Sequence, residues 1–324
     1  MQGPNYFRRI FKVYFTRDKG YLAFWHERPA VSENISPQSL KGFYYMTFSD
    51  KARYGGPKDE GGVILFDYYF DIGRQYNPLA VAQYGLGHWN LFLKTGEEKY
   101  LKTAKVQAEW LLSHLEKEGE DMWVWKHHFP WHYKHPLASG WYSAHSQGTG
   151  ISLLGRMFAY TGDERYKDGA KKAFTVFDRA IGEGGVKYTD TSGGVWLEEY
   201  RVNPPTHILN GYLWALWGVW DFHVLTNNIR AKELFDECIR TLEKHMPRFD
   251  LGFWSRYDLS HQALAMIASP FYHSLHIVQL EATALISGSA IFSDYAKRFA
   301  RYAKNPFFKT IAVAYKAVFK LFYF

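Results

Sequence analysis

Glu198, Glu199 and Tyr200 stand in a row, just ahead of Pro204, Pro205, Thr206 and an apolar segment that contains Asn210. Carboxylates and phenols are proton-moving groups. A rigid turn that runs into a helix start is how a loop holds such groups at the mouth of a helical scaffold. Three other stretches are comparably rich: Tyr257-Asp258-Leu259-Ser260-His261, Tyr272-His273-Ser274-Leu275-His276, and Gly140 to Gly148, which reads GWYSAHSQG. His273 and His276 are spaced i, i+3, with His261 and His207 as further candidates around a metal. Neither an HExxH pair nor a cysteine set accompanies them, so hydrogen-bonding or substrate-binding roles are favoured and no metal is expected. Gly148-Thr149-Gly150 lacks the third glycine and the βαβ context of a dinucleotide loop. No GxSxG elbow is present for a hydrolase nucleophile.

The elements that must position these groups are announced by a repeat. Phe92 to Tyr100, FLKTGEEKY, resembles Phe158 to Tyr166, FAYTGDERY, and the two threonines are 66 residues apart (161 − 95). Thr226-Asn227 follows 65 residues later (226 − 161), and Ser287-Gly288 another 61 (287 − 226). Each marks a turn between two helical runs, with Gly or Asn where left-handed backbone is needed. The pattern predicts four helix hairpins, 77–95 with 97–117, 143–161 with 163–181, 206–226 with 229–246, and 271–287 with 289–303. Such hairpins bury their apolar faces on their neighbours, which gives a mainly α protein, a solenoid or an incomplete α/α toroid. In a toroid the hairpin turns lie at one end and the connections 118–142, 182–205 and 247–270 at the other. Those long connections hold the unusual residues, so groups far apart in sequence are expected on one face.

The organisation expected is a Tyr-, Phe- and Gly-rich N-terminal region over 1–75, a helical domain over 76–305 and a basic amphipathic helix over 306–324. In the first, Phe43–Phe48 and Val63–Phe70 read as short strands or extended segments. The formal net charge is +7, but residues 297–324 carry seven basic and no acidic side chains, which leaves the remainder near neutral (7 − 7 = 0). The basic balance therefore describes the tail and argues for no nucleic-acid partner. Lys309, Lys316 and Lys320 fall on one helical face among apolar residues. Tyr6–Phe15, with Arg8, Arg9 and Lys12, has a similar character. Peripheral contact of 307–324 with an anionic membrane, packing on the body and a homodimer interface are all open for these segments. No apolar leader core or 18-residue apolar run is seen, so a cytoplasmic location, or one at the inner face of a membrane, is expected. Cys238 is the only cysteine, which excludes an intrachain disulfide. Hydrophobic residues make up 47% and aromatics 19%, enough for a large core and for a site that stacks sugar rings.

Taken in order, these motifs resemble the D-glucuronyl C5-epimerase family. That family carries GWYSAxxQGQ, EEYPTTP followed by VLNG, YDLRH, and a YHTTHINQL-like segment. Here they correspond to Gly140–Gly148, Glu198–Pro205 with Ile208–Gly211, Tyr257–His261 and Tyr272–Leu280. Asn77-Pro78-Leu79 with Ala82-Gln83-Tyr84 looks like the family's NPLxxAQ start. The likeness covers about 77–303, and several motifs in order are far more specific than any one.

The resemblance implies an α/α toroid and cofactor-independent proton exchange at C5 of a hexuronate, turning D-glucuronate into L-iduronate within a polysaccharide. It places Glu199, Tyr200, Tyr257 and Tyr272 at the reaction site. Around them Tyr142, Gln147, Arg201, Asn210, Arg256, His261, His273 and His276 are expected to contact the substrate. C5–H lies α to a carboxylate and is weakly acidic, so the enolate-like intermediate needs donors. Inversion needs a base on one face and an acid on the other. A tyrosine base would need its ordinary pKa of ~10 lowered by a neighbouring cation such as Arg201, Arg256 or charged His261. Three departures bear on the substrate: Ser260 stands where the motif has arginine, Arg201 where it has proline, and His145 where it has an apolar residue. A heparosan-like chain, another glucuronate-containing polysaccharide and a lipid-linked glycan all fit. A uronate lyase on the same scaffold and a non-catalytic glycan-binding protein are the alternatives. A glycoside hydrolase ranks behind them, because Glu198 and Glu199 point to opposite sides of an extended segment.

Overall fold

The computed structural model describes residues 24–68 and 72–323, so Tyr6–Phe15 lies outside the described residues. Four helix hairpins form the body: α2 (Pro78–Thr95) with α3 (Glu98–Ser113), α4 (Ala144–Thr161) with α5 (Glu164–Phe174), α6 (Leu209–Thr226) with α7 (Ile229–His245), and α8 (Pro270–Ser287) with α9 (Ala290–Lys304). Ahead of them lie a one-turn helix α1 (Ser49–Ala52) and the pair β1 (Phe66–Tyr68) and β2 (Gly73–Gln75); the pair β3 (Glu116–Glu118) and β4 (Met122–Val124) lies between α3 and α4, and α10 (Pro306–Tyr323) follows the hairpins.

The expected turn chemistry is present at all four hairpins. Gly96, Gly162, Asn227 and Gly288 each close an inner helix at φ between 53° and 74°. Their backbone N–H groups donate to carbonyls four residues back, at 2.7–2.9 Å. A β-carbon strains left-handed backbone, so glycine takes three of these positions and asparagine the fourth.

The helices divide into two rings. The inner ones neighbour one another in the order α2, α4, α6, α8, and the outer ones return on the outside. Inner helices are buried on most faces: α6 is buried from Leu209 through Phe222. Helices α4 and α6 approach closely because neither has a side chain at the crossing. A Cβ on Gly218 would lie 2.2 Å from the Gly148 Cα, and one on Gly148 would lie 2.7 Å from the Ala215 Cα. Gly148 is thus a packing residue of an α/α toroid. The ring is incomplete, and the N-terminal segment packs inside it: Tyr44 and Tyr45 meet Trp217, Phe48 meets Trp214, and His26 meets Phe271.

Phe43–Phe48 forms no strand; only Met46 makes an isolated bridge, to Val31. Tyr44, Tyr45, Met46 and Phe48 are all buried, so the segment has no in–out alternation. Its backbone is satisfied by Asn90 of α2. That side chain accepts from the Tyr44 N–H at 2.8 Å and donates to the Met46 carbonyl at 2.8 Å.

Helix α10 departs from the expected polar stripe. Lys316 is turned into the body and donates to the Ile267 carbonyl at 2.6 Å, and Ala312 and Phe319 are buried with it. Phe307, Val313 and Val318 face outward. Burial of the ammonium wins over the helical spacing because a backbone acceptor waits beneath it. Among the described residues no helix is long and apolar enough to cross a membrane.

Candidate active site

The inner helices all begin at the same end, and a cavity of about 200 Å³ opens between their N-termini. Each contributes from its first turns: Asn77 from α2, Ser143 and His145 from α4, Asn210 from α6, Tyr272 from α8. Asn77 and Ser143 also cap their helices, accepting from the N–H groups of Ala80 and Ser146. Four helix N-termini aimed at one space give it a positive potential suited to an anion.

The connections supply the reactive side chains. Strands β7 (Lys187–Thr189) and β8 (Val195–Leu197) pair antiparallel and deliver Glu198 and Glu199 from the end of β8. The two carboxylates face different surroundings. Glu198 is fully buried with both oxygens occupied: one accepts from the Thr206 and His207 N–H groups, the other meets His207 Nδ1 at 2.5 Å. It fixes the turn that starts α6. Glu199 lines the cavity, and its Oε2 has no hydrogen-bond partner. His145 Nδ1 is 3.6 Å from that oxygen, beyond hydrogen-bond reach. Burial, reinforced by Glu198 and Asp258, pushes the Glu199 carboxyl up to about 8, while the neighbouring Tyr200 hydroxyl opposes the rise. Room for this side chain comes from Gly211, where a Cβ would sit 2.1 Å from Glu199 Oε2.

Phenols line the same cavity as Glu199. Tyr257 and Tyr272 meet edge to face at 4.8 Å between ring centroids. Tyr133 lies 4.9 Å from Tyr200 and 6.4 Å from Tyr257, joining the two walls. Tyr133 sits at the tip of the hairpin of β5 (Trp131–His132) and β6 (Pro136–Leu137), and its hydroxyl donates to Asp258. The fully buried Asp258 also accepts from Lys134 Nζ at 2.6 Å and from the Ser260 hydroxyl at 2.7 Å, and Lys134 reaches Ser260 as well. Behind Tyr257 the backbone is held by Met266, whose carbonyl accepts the Tyr257 N–H at 2.7 Å.

The expectation of a depressed tyrosine is corrected here. Burial raises Tyr200 and Tyr257 well above the ordinary phenol value, and Glu199 and Tyr272 add to the rise. Among the described residues no guanidinium lies against them, so these phenols stand as proton donors. Arg201 stacks over the Tyr142 ring at 4.3 Å. Arg201 and the half-buried Arg256 do not line the cavity, and His261 is exposed and outside it too.

Glu199, Tyr200, Tyr257, Tyr272 and Asn210 are brought together; the other sequence candidates do not line the cavity. His273 and His276 are fully buried, both directing Nδ1 at Ser255 Oγ, at 2.8 and 2.9 Å. His273 also stacks on Trp254 at 3.8 Å. Burial holds both histidines low, hence neutral. Among the described residues no three His, Cys, Asp or Glu side chains gather as metal ligands. Tyr142 donates to the Gly184 carbonyl, and Gln147 is buried with neither amide atom partnered.

Sequence reading missed several lining residues: Trp25, Lys51, His127 and Trp214. His127 stacks on Trp141 at 3.7 Å and His145 on Trp214 at 5.2 Å, both ring pairs nearly parallel. Burial lowers each imidazole to about 3, so both are neutral acceptors or donors. The departure at His145 was visible in the sequence. Lys51 was not, because it lies in a stretch without periodicity.

A family 76 glycoside hydrolase from a bovine Bacteroides thetaiotaomicron strain shares the fold, with a TM-score of 0.51 at 14% identity over 75% of this chain and 50% of that one. The D-glucuronyl C5-epimerase of Caenorhabditis elegans is 36% identical over 182 residues, which is 52% of this chain and 29% of that protein. An uncharacterised protein of Methanocaldococcus jannaschii is 29% identical over 211 residues, 62% of this chain and 67% of that protein. The chain thus spans less than a third of the length of the nematode relative. The family model described as D-glucuronyl C5-epimerase C-terminus matches residues 118–301, more than half of the chain, and the chain belongs to that family.

Proposed function

We propose that this protein is a carbohydrate epimerase that inverts C5 of D-glucuronate residues within a glycan, by proton removal on one wall of the cavity and proton return from the other. The observation that carries this reading is Glu199, a buried carboxyl with an open oxygen, lining the same cavity as the Tyr257–Tyr272 pair. As carboxylate, Glu199 takes the C5 proton. The electron pair moves into the adjacent substrate carboxylate. A phenol of the Tyr257–Tyr272 wall then gives its proton to the opposite face of C5. Tyr200, beside Glu199, carries the proton back towards that wall, so no net charge is left. Raised basicity suits the task, because a carboxylate with an ordinary pKa is a poor base for a C–H bond. Among the described lining residues several polar atoms are buried without partners, including Glu199 Oε2, His145 Nε2 and Asn210 Oδ1, as expected of a site completed by a polar ligand.

The test is incubation in heavy water with heparosan and other uronate polymers, read by NMR. Deuterium at C5 without loss of chain length is the expected result. Absence of deuterium in every polymer would overturn the reading, and appearance of unsaturated uronate absorbance would select a lyase instead. The rate should climb with pH up to about 8, because Glu199 must be ionised to act as base and burial holds its proton that far. A pH–rate profile flat from 6 to 9, both ~1 unit or more from the inflection, would argue against Glu199 as base.

A further inference from the structure

Lys51 lies outside the family match and has no part in the proton transfers, yet it lines the cavity. Among the described lining residues it is the only lysine or arginine. Its placement is costly. Helix α1 is one turn long and is entered through Phe48 at φ 48°, a left-handed conformation that strains a bulky residue. The lysine side chain is 2% exposed and threads past the rings of Phe24 and Trp25, with Nζ 4.3 and 5.0 Å from their centroids. Nζ donates to the Phe24 carbonyl at 2.8 Å. Among the described residues the nearest carboxylate, Glu27, stands 3.7 Å away with Oε1, and its Oε2 has no partner there.

A buried ion pair kept for stability would close to hydrogen-bond distance and fill its remaining lone pairs. This one does neither. The ammonium has three donors and, among the described residues, one short acceptor, which leaves it able to take a second anion from the cavity side. Arg201 and Arg256 lie outside the lining, and the lining imidazoles His127 and His145 are neutral.

We infer that Lys51 is the anchor for the substrate's carboxylate, the group that makes a uronate anionic and that receives the electron pair when C5 loses its proton. The inference rests on the epimerase reading for the identity of the anion, but its geometry does not depend on the transfer chemistry. A fixed ammonium at that carboxylate binds the ground state and holds the enediolate more strongly still, because charge accumulates on those oxygens. Glu27 acts as the internal competitor, standing on one side of Lys51. Sugar sulfates offer a second source of negative charge, so the probe must be free of them.

The test uses an unsulfated glucuronate oligosaccharide and its carboxyl-reduced counterpart, with binding measured by calorimetry. The wild type should bind the acidic form about tenfold or more tightly than the reduced one, as one charge-assisted hydrogen bond implies. Lys51→Met should abolish that preference while leaving affinity for the reduced form unchanged. Lys51→Arg should retain part of it. Glu27→Gln should enlarge it, and this variant decides the matter should Lys51→Met fail to fold. An unchanged preference in folded Lys51→Met, or an unchanged or smaller one in Glu27→Gln, overturns the inference. A Lys51-dependent preference in a protein that exchanges no C5 proton would sink the epimerase reading and leave the anchor standing. Normal exchange with an unaltered preference in Lys51→Met would do the reverse.

Discussion

Asp221 and Glu199 are both carboxylates buried among aromatic rings, one in the body of the toroid and one at its mouth. Asp221 projects from α6 and has both oxygens filled. Arg156 of α4 donates to one at 2.7 Å, and the Tyr45 hydroxyl donates to the other at 2.6 Å. The Arg156 guanidinium also lies over the rings of Tyr44 and Tyr45. Charge there is cancelled and locked, and it ties two inner helices to the N-terminal segment. Among the described residues no lysine or arginine pairs with Glu199, and one of its oxygens is open. The same residue class is spent on cohesion in one place and held in a raised, proton-bearing state in the other. Glu198, next to Glu199 in sequence, belongs with Asp221: fully partnered, it is part of the frame.

Mutations can break or sharpen this contrast. The largest expected effect is at Arg156. Arg156→Met leaves Asp221 buried without its cation and should cost ~3–5 kcal/mol of stability, read by denaturant unfolding. Loss below ~1 kcal/mol would mean the pair is not what ties the rings together. Next comes Glu199→Gln, which should lower exchange by a factor of ~10²–10⁴ in a protein that still folds. Its stability should differ from the wild type in a pH-dependent way. The folded-state pKa of Glu199, about 8, lies above the ordinary carboxyl value of 4.5. Between those values the folded state holds a proton the unfolded chain has lost, so raising the pH towards 8 weakens the wild type through this group. Glutamine has no such proton. Glu199→Gln should therefore match the wild type in melting temperature at acid pH and exceed it at alkaline pH. A lower melting temperature at both would place Glu199 with Asp221. The smallest effect is expected at Gly211→Ala. A methyl there meets Glu199, so exchange should fall ~tenfold through misplacement of the carboxyl, with ~1–3 kcal/mol lost to overpacking. Undiminished exchange would show that Glu199 does not need its present position.

Much of the frame was legible in the chain. The Thr-Gly and Asn turns marked the hairpins because left-handed backbone leaves a residue signature, and the connections between hairpins did bring Glu199, Tyr200 and Tyr257 to the cavity that Tyr272 of α8 also lines. What escaped was set by tertiary contacts. Lys51 lies on one turn of helix in a stretch whose side chains are buried without period. Lys316 has the spacing of a surface stripe, yet a carbonyl beneath it draws it inward, and burial lowers it to about 8. His273 and His276 looked like site residues by type and spacing, but they share Ser255 behind the wall. The direction of the tyrosine shifts also could not be read, since Arg201 and Arg256 are near in sequence and turned elsewhere in space.

The measurement that bears most directly on the central claim is the rate of deuterium uptake at C5 of a glucuronate polymer by the wild type and by folded Glu199→Gln. Uptake by the wild type and its collapse in the variant, with chain length unchanged in both, is the predicted result. Equal uptake by the two proteins, or none by the wild type on any uronate polymer, would contradict it.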